Sequence, residues 1–214
     1  MSRITRVIPA AAVIALMAVP AVSQAQTITF GTRLDHEPSN SLPAHNCNED
    51  GSDDATPTCT RVAIDKSIAP EGRLQAPKSG TVVAFRVRAG GPGVVTFRLA
   101  HFKRLGFDAQ LQDYSGLAQG AGTGPTVQVQ GHGFDETGDP VETFPAKLKV
   151  TKGDYVGIDS TSTSALYCSS GGNNQMIFSP KLGRRGGPAR MSTKTDGCEL
   201  MVQAVMTPAK KKHR

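Results

Sequence analysis

Short runs in which apolar and polar residues strictly alternate, each closed by Gly, Pro or Asp, recur along this chain, and helical periodicity is almost absent. Alternation with a period of two puts every second side chain on one face of an extended backbone, so the pattern points to strands with one buried face. Val83, Phe85 and Val87 alternate with Arg86 and Arg88, and Val95, Phe97 and Leu99 alternate with Thr96 and Arg98, across Gly90-Gly91-Pro92-Gly93. These runs, 81–89 and 94–102, read as a β-hairpin. Phe144, Ala146, Leu148 and Val150 alternate with Lys147 and Lys149, and Thr151-Lys152-Gly153-Asp154 leads into Val156 and Ile158, which reads as a second hairpin. Further strands are expected at 27–30, at 127–129 and, more weakly, at 166–168, 176–178 and 190–193. Residues 199–206 are apolar on both faces, as a central strand requires. The stretch 105–118 is ambiguous between helix and strand, and Gly106 and Gly116 count against a helix.

About nine or ten short strands of this kind predict an all-β, two-sheet antiparallel β-sandwich, jelly-roll-like, with a closed barrel as the competing architecture. No internal repeat of fixed period appears, which argues against a propeller or solenoid. The chain has 214 residues, 38% of them hydrophobic, which is too apolar for disorder and enough for one domain.

Arg3 and Arg6 precede an apolar run from Val7 to Val22, and Ser23-Gln24-Ala25 supplies small residues at a cleavage site. Residues 1–25 therefore read as a Sec-type secretory signal peptide, with a single domain over 26–207 and a basic tail over 208–214. No second apolar stretch follows, so no transmembrane segment is expected after cleavage. The formal charge of +6 falls by two with Arg3 and Arg6 and by four with Lys210, Lys211, Lys212 and Arg214, leaving a body near neutrality. A stripe of aromatics interleaved with basic residues is missing, so a nucleic-acid partner is not expected.

Cys47, Cys59, Cys168 and Cys198 form an even set in a chain read as exported, which predicts two disulfides. Three connectivities are open, and the local one, Cys47–Cys59 with Cys168–Cys198, is favoured. It would bound two long loops. The first, 34–60, is acidic and carries Asp35, Glu37, Glu49, Asp50, Asp53 and Asp54; the second, 169–190, carries Lys181, Arg184, Arg185 and Arg190. A metal site built on the cysteines is disfavoured, since no Cys-x-x-Cys pair exists.

Most catalytic signatures are missing: there is no G-x-S-x-G, H-E-x-x-H or phosphate-binding glycine loop, and Gly120-Ala121-Gly122-Thr123-Gly124 reads as an ordinary loop. Asn46, Asn48, Asp50 and Asp53 are candidate calcium ligands, because their spacing around Gly51 partly matches an oxygen-rich calcium loop. Pro57 stands where such a loop has its bidentate Glu, and a solvated acidic loop is the favoured reading. Gly131–Asp139 is the densest titratable stretch, and His132 with Asp135 or Glu136 is the candidate acid–base pair for a hydrolase acting on an envelope polymer. His101 keeps the core parity of its strand and reads as structural. Tyr155 has outward parity, opposite Val156 and Ile158, and is the candidate binding aromatic, with Arg184 and Arg185 as further candidate binding residues.

The segments Ala69-Pro70-Glu71-Gly72 and Phe144–Asp159 resemble those of uncharacterised secreted β-sandwich proteins of high-GC bacteria. The resemblance implies a β-sandwich and an exported location, and assigns no catalytic or binding residue. The reading that follows is a secreted, non-catalytic interaction module at the cell envelope or outside it, with an anionic envelope polymer or polysaccharide as partner. The hydrolase and a purely structural domain are the alternatives.

Overall fold

A computed structural model describes residues 26–36, 47, 59–66, 69, 72–108, 113–131, 141–160, 166–168 and 174–210. Among them the regular elements are thirteen strands. In chain order these are β1 (Ile28–Gly31), β2 (Cys59–Ala63), β3 (Gly80–Arg88), β4 (Gly93–Asp108), β5 (Asp113–Val129), β6 (Val141–Val150), β7 (Tyr155–Ser160), β8 (Leu166–Cys168), β9 (Gln175–Phe178), β10 (Arg190–Met191), β11 (Lys194–Asp196), β12 (Cys198–Leu200) and β13 (Val202–Pro208).

Every pairing is antiparallel. One sheet has the order β1-β13-β3-β6, a second β10-β5-β4-β7-β2-β9-β11, and β12 pairs with β8 as a separate ribbon. The two larger sheets meet through their apolar faces. Phe85 on β3 stacks on Phe97 of β4 with ring centroids 4.6 Å apart, and Phe144 on β6 lies 5.8 Å from Phe97. Val82, Val87, Leu99, Val156, Ile158, Val202 and Ala204 complete this interface, all at most 1% exposed. Removing such surface from water is the main force holding the layers together.

Neither expected hairpin forms. β3 and β4 belong to different sheets, as do β6 and β7, so Gly90–Gly93 and Thr151–Asp154 carry the chain from one layer to the other. Alternation could not separate the two cases, because strands in facing sheets point their apolar residues at the same core as strands paired within one sheet. The parity of β3 also breaks at its start. The register with β6 shifts between Val82 and Ala84, so Val82 is buried and Val83 exposed.

The Gly120–Gly124 run, expected as a loop, lies inside β5. Glycine is required there by close approach. A Cβ on Gly120 would lie 1.9 Å from the Gly183 carbonyl oxygen, and one on Gly124 would lie 2.8 Å from the Phe85 ring. The described ends of the ambiguous 105–118 stretch belong to β4 and β5 and are strand. β2 has no counterpart in the alternation pattern and takes in Cys59 and Thr60 from the expected acidic loop; it sits between β7 and β9 and is buried at all five positions. The apolar 199–206 run divides at Met201 into β12 and β13, and β13 is central between β1 and β3, as expected.

Cys47 and Cys59 are disulfide-bonded, with Cα atoms 5.5 Å apart. Cys198 is also disulfide-bonded, and Cys168 is its direct partner across the β8–β12 ladder. Disulfides fit an oxidising compartment. No helix among the described residues is long and apolar enough to cross a membrane.

Candidate functional site

The middle of the outer face of the seven-stranded sheet, which alternation assigns to solvent, is covered, whereas Val94 near the start of β4 is 55% exposed. Arg98 on β4, Asp159 on β7 and Thr60 on β2 lie side by side there and are buried. Arg98 Nε is 3.5 Å from Asp159 Oδ1, and Thr60 Oγ1 donates to the same oxygen at 2.5 Å. The Leu182 amide donates to Thr60 Oγ1 at 2.9 Å, and the Arg98 guanidinium donates to the Leu182 and Gly183 carbonyls and to Thr123 Oγ1. Residues 182–183 are thus clamped onto the sheet. Burial is the largest influence on the Asp159 carboxyl and pushes it above its ordinary pKa, against the Thr60 hydrogen bond and the charges of Arg98 and Lys181.

At the N-terminal end of β7, the opposite end from Asp159, lies a cleft of about 690 Å³. Ile64 and Leu105 give it apolar walls, Tyr114 and Tyr155 give it aromatic ones, and Asp65, Lys66 and Gln75 supply polar groups. Tyr155 is 5% exposed, and its ring meets Phe102 edge-on at 4.9 Å, which fixes the ring plane. Gln75 Nε2 donates to the Tyr155 hydroxyl. Burial pushes the Tyr155 pKa above 10.0, against that hydrogen bond, so the hydroxyl keeps its proton at neutral pH and retains it for donation. Tyr114, at 43% exposed, forms the open side. The arrangement of a fixed ring, a second accessible ring and three hydrogen-bonding side chains suits recognition of a ligand with both apolar and polar faces.

The residues singled out from the sequence fare differently. Tyr155 does point away from Val156 and Ile158, but it is 5% exposed because that face is covered, and it lines the cleft. Arg184 and Arg185 are exposed; Arg185 donates from Nη2 to the Lys149 carbonyl at 2.7 Å and lines a different cleft from Tyr155. His132, Asp135 and Glu136, and the calcium candidates Asn46, Asn48, Asp50 and Asp53, lie outside the described residues. Among the described residues no group of three or more His, Cys, Asp or Glu side chains is arranged to hold a metal.

Alternation missed the buried charged groups, because it treats polar residues as solvent-facing. Burial lowers the Arg61 pKa to about 10, with Asp196 opposing. His36 Nδ1 lies 2.8 Å from Glu199 Oε2, and Glu199 is 1% exposed. Burial is the largest influence on Glu199 and raises its pKa above 4.5, against the hydrogen bond and charge of His36 and the charge of Arg33. A carboxyl raised on folding contributes stability that is complete below its unfolded pKa and is lost as pH rises through the folded pKa. Urea midpoints of wild type and Glu199→Gln should therefore diverge in favour of wild type as pH is lowered from about 7 toward 4.5. A gap that narrows toward acid would contradict this.

Comparison of the chain with protein-family models, with curated proteins and with solved structures finds no match.

Proposed function

We propose that this chain is a secreted, non-catalytic binding module that holds one unit of a soluble or amorphous envelope glycan in the Tyr114–Tyr155 cleft. The observation that carries the reading is the cleft itself. Its volume of about 690 Å³ lies within the range of small-ligand sites, and its aromatic walls stand beside Gln75, Asp65 and Lys66. A sugar ring presents apolar C–H faces to aromatic rings and hydroxyls to polar side chains. One accessible tyrosine, in place of a flat row of aromatics, suits a single sugar unit better than a crystalline polysaccharide surface.

The fold reading is a jelly roll. Strands β1, β3, β6 and β13 in one layer face β2, β4, β5 and β7 in the other, in the orders β1-β13-β3-β6 and β5-β4-β7-β2. That interleaving along the chain supports it. A second disulfide, Cys168–Cys198, supported by their direct pairing, would bound the 169–190 loop. Export rests on the signal-peptide pattern of residues 1–25, together with the Cys47–Cys59 disulfide.

The test is co-sedimentation of the exported chain with insoluble cell-wall polysaccharide at high salt, where simple charge attraction is screened. Wild type is expected to pellet with the polymer and Tyr114→Ala to stay mostly in the supernatant, an affinity loss of roughly tenfold, in line with base-ring stacking contributions. Equal retention of the two, or no retention of wild type, would overturn the reading.

A further inference from the structure

The turn Thr151–Asp154 between β6 and β7 stands at the centre of three adjoining clefts whose side chains are almost all cationic or neutral. In the first, of about 200 Å³, His101, Lys103, Gln119, Thr151 and Arg185 accompany Asp154, the only acidic residue among the described lining. That carboxylate is already engaged. It is 1% exposed, its Oδ1 lies 3.0 Å from His101 Nδ1, and its Oδ2 accepts the Thr151 amide at 2.8 Å. The pairing directs the Nδ1 hydrogen to Asp154 and fixes the imidazole, whose side chain is 36% exposed, as part of the cleft wall. The Lys149 carbonyl holds the Arg185 guanidinium at 2.7 Å and so fixes its position.

The second cleft, of about 470 Å³, shares Thr151 and Arg185 with the first and adds Lys149. The third, of about 240 Å³, lies on the other side of the turn and contributes Lys66, Arg73 and Lys152. It shares Lys66 and Gln75 with the tyrosine cleft. Six Lys and Arg side chains therefore follow one rim of a domain whose body is near neutral. This concentration is a matter of placement, since composition alone supplies no excess there.

We propose that this rim is a track for an acidic polysaccharide, and that the cleft of His101, Lys103 and Arg185 seats one of its anionic groups, a sulfate, phosphate or carboxylate. The saccharide identity rests on the reading of the tyrosine cleft, which the track meets at Lys66 and Gln75. The clefts themselves weigh against other polyanions. Among the described residues no Phe, Tyr or Trp ring lines any of the three, and His101 is the one imidazole, so successive bases of a single-stranded nucleic acid would have no row of rings to stack on. Among the described residues the exposed large apolar side chains, Val83, Val94, Tyr114 and Met191, lie outside all three clefts, so none of them stands on the rim to insert into a bilayer.

The probe is fluorescently labelled heparin, a sulfated polysaccharide, titrated against the exported chain at several salt concentrations. Lys103→Glu/Arg185→Glu is compared with Lys147→Glu/Arg190→Glu, which makes the same change in net charge at exposed positions that line none of the three clefts. The first double variant should bind heparin at least about tenfold more weakly, with a shallower dependence of log affinity on log salt, because each anion contact removed lowers that slope. The control should stay within about twofold of wild type. Equal weakening by both double variants would overturn the proposal in favour of unspecific charge attraction, and unchanged binding by the first would also overturn it. Tighter binding to polyuridylate or to phosphatidylglycerol vesicles than to heparin, with the same dependence on Lys103 and Arg185, would overturn the polysaccharide assignment. Failure of the tyrosine-cleft reading shows separately, as retention on neutral glycan that Tyr114→Ala leaves unchanged.

Discussion

Replacing Asp159 with Ala is expected to lower folding stability by about 3–5 kcal/mol. Asp159 is 3% exposed and faces Arg98, which is 5% exposed, so the substitution leaves a guanidinium charge buried without its carboxylate. Removing one partner of such a pair costs more than the pair itself contributes, because the remaining charge keeps its desolvation penalty. The loss also removes the acceptor of Thr60, whose oxygen receives the Leu182 amide, so the 182–183 segment should loosen. Urea unfolding measures the first effect, and faster proteolysis after Lys181, Arg184 or Arg185 measures the second. Replacing both partners by apolar residues, Arg98→Met with Asp159→Leu, should cost less than Asp159→Ala alone. A cost below about 1 kcal/mol for Asp159→Ala, the range of exposed pairs, would mean that water reaches the pair.

Phe97→Ala is expected to cost about 3–5 kcal/mol, the range for deleting a large aromatic from a close-packed core. Phe97 is fully buried and touches the opposite layer twice, through Phe85 and Phe144. Val94, 55% exposed on the same strand, is the control, and Val94→Ala should change stability by no more than about 0.5 kcal/mol. A double-mutant cycle on Phe85 and Phe97 should give a coupling of roughly 0.5–1.5 kcal/mol, since the two rings stack directly. Additive losses would mean that the two sheets do not meet at these residues.

The strands with one solvated face were legible in the sequence. β6 has Phe144, Ala146 and Leu148 partly buried and Lys147 and Lys149 exposed, and the alternation reports that directly. Strands buried on both faces were harder to read. β2 carries Arg61 at its centre, and β7 carries Asp159, and both charges are buried; Asp159 meets Arg98 and Thr60 of the neighbouring strands, which hold the covering 182–183 segment. Alternation contains no information about what covers the second face of a sheet. For the same reason it gave the parity of Tyr155 correctly and its exposure incorrectly. The partition of strands between layers was also hidden, because a turn such as Gly90–Gly93 reads alike whether it closes a hairpin or crosses a core.

The candidate site was legible only through one residue. Tyr155 was singled out by parity, whereas Tyr114, Gln75, Asp65 and Lys66 come from three separate segments and meet only when the chain folds. No local spacing links Gln75 to Tyr155, yet they pair across the end of β7 by both a backbone bridge and a side-chain hydrogen bond. The basic rim is similarly non-local. Lys66, Lys103, Lys149 and Arg185 are scattered in sequence and gathered by the turn at 151–154.

The chain has no Trp and three Tyr, two of which line the proposed cleft, so its intrinsic tyrosine emission reports on that cleft without a label. The most direct measurement is a titration of this emission with soluble fragments of cell-wall glycan at high salt. Wild type should show a saturable change that is lost in Tyr114→Ala while thermal stability stays within a few degrees. Emission that does not respond to any fragment, or an equal response from Tyr114→Ala, would contradict the proposed binding role.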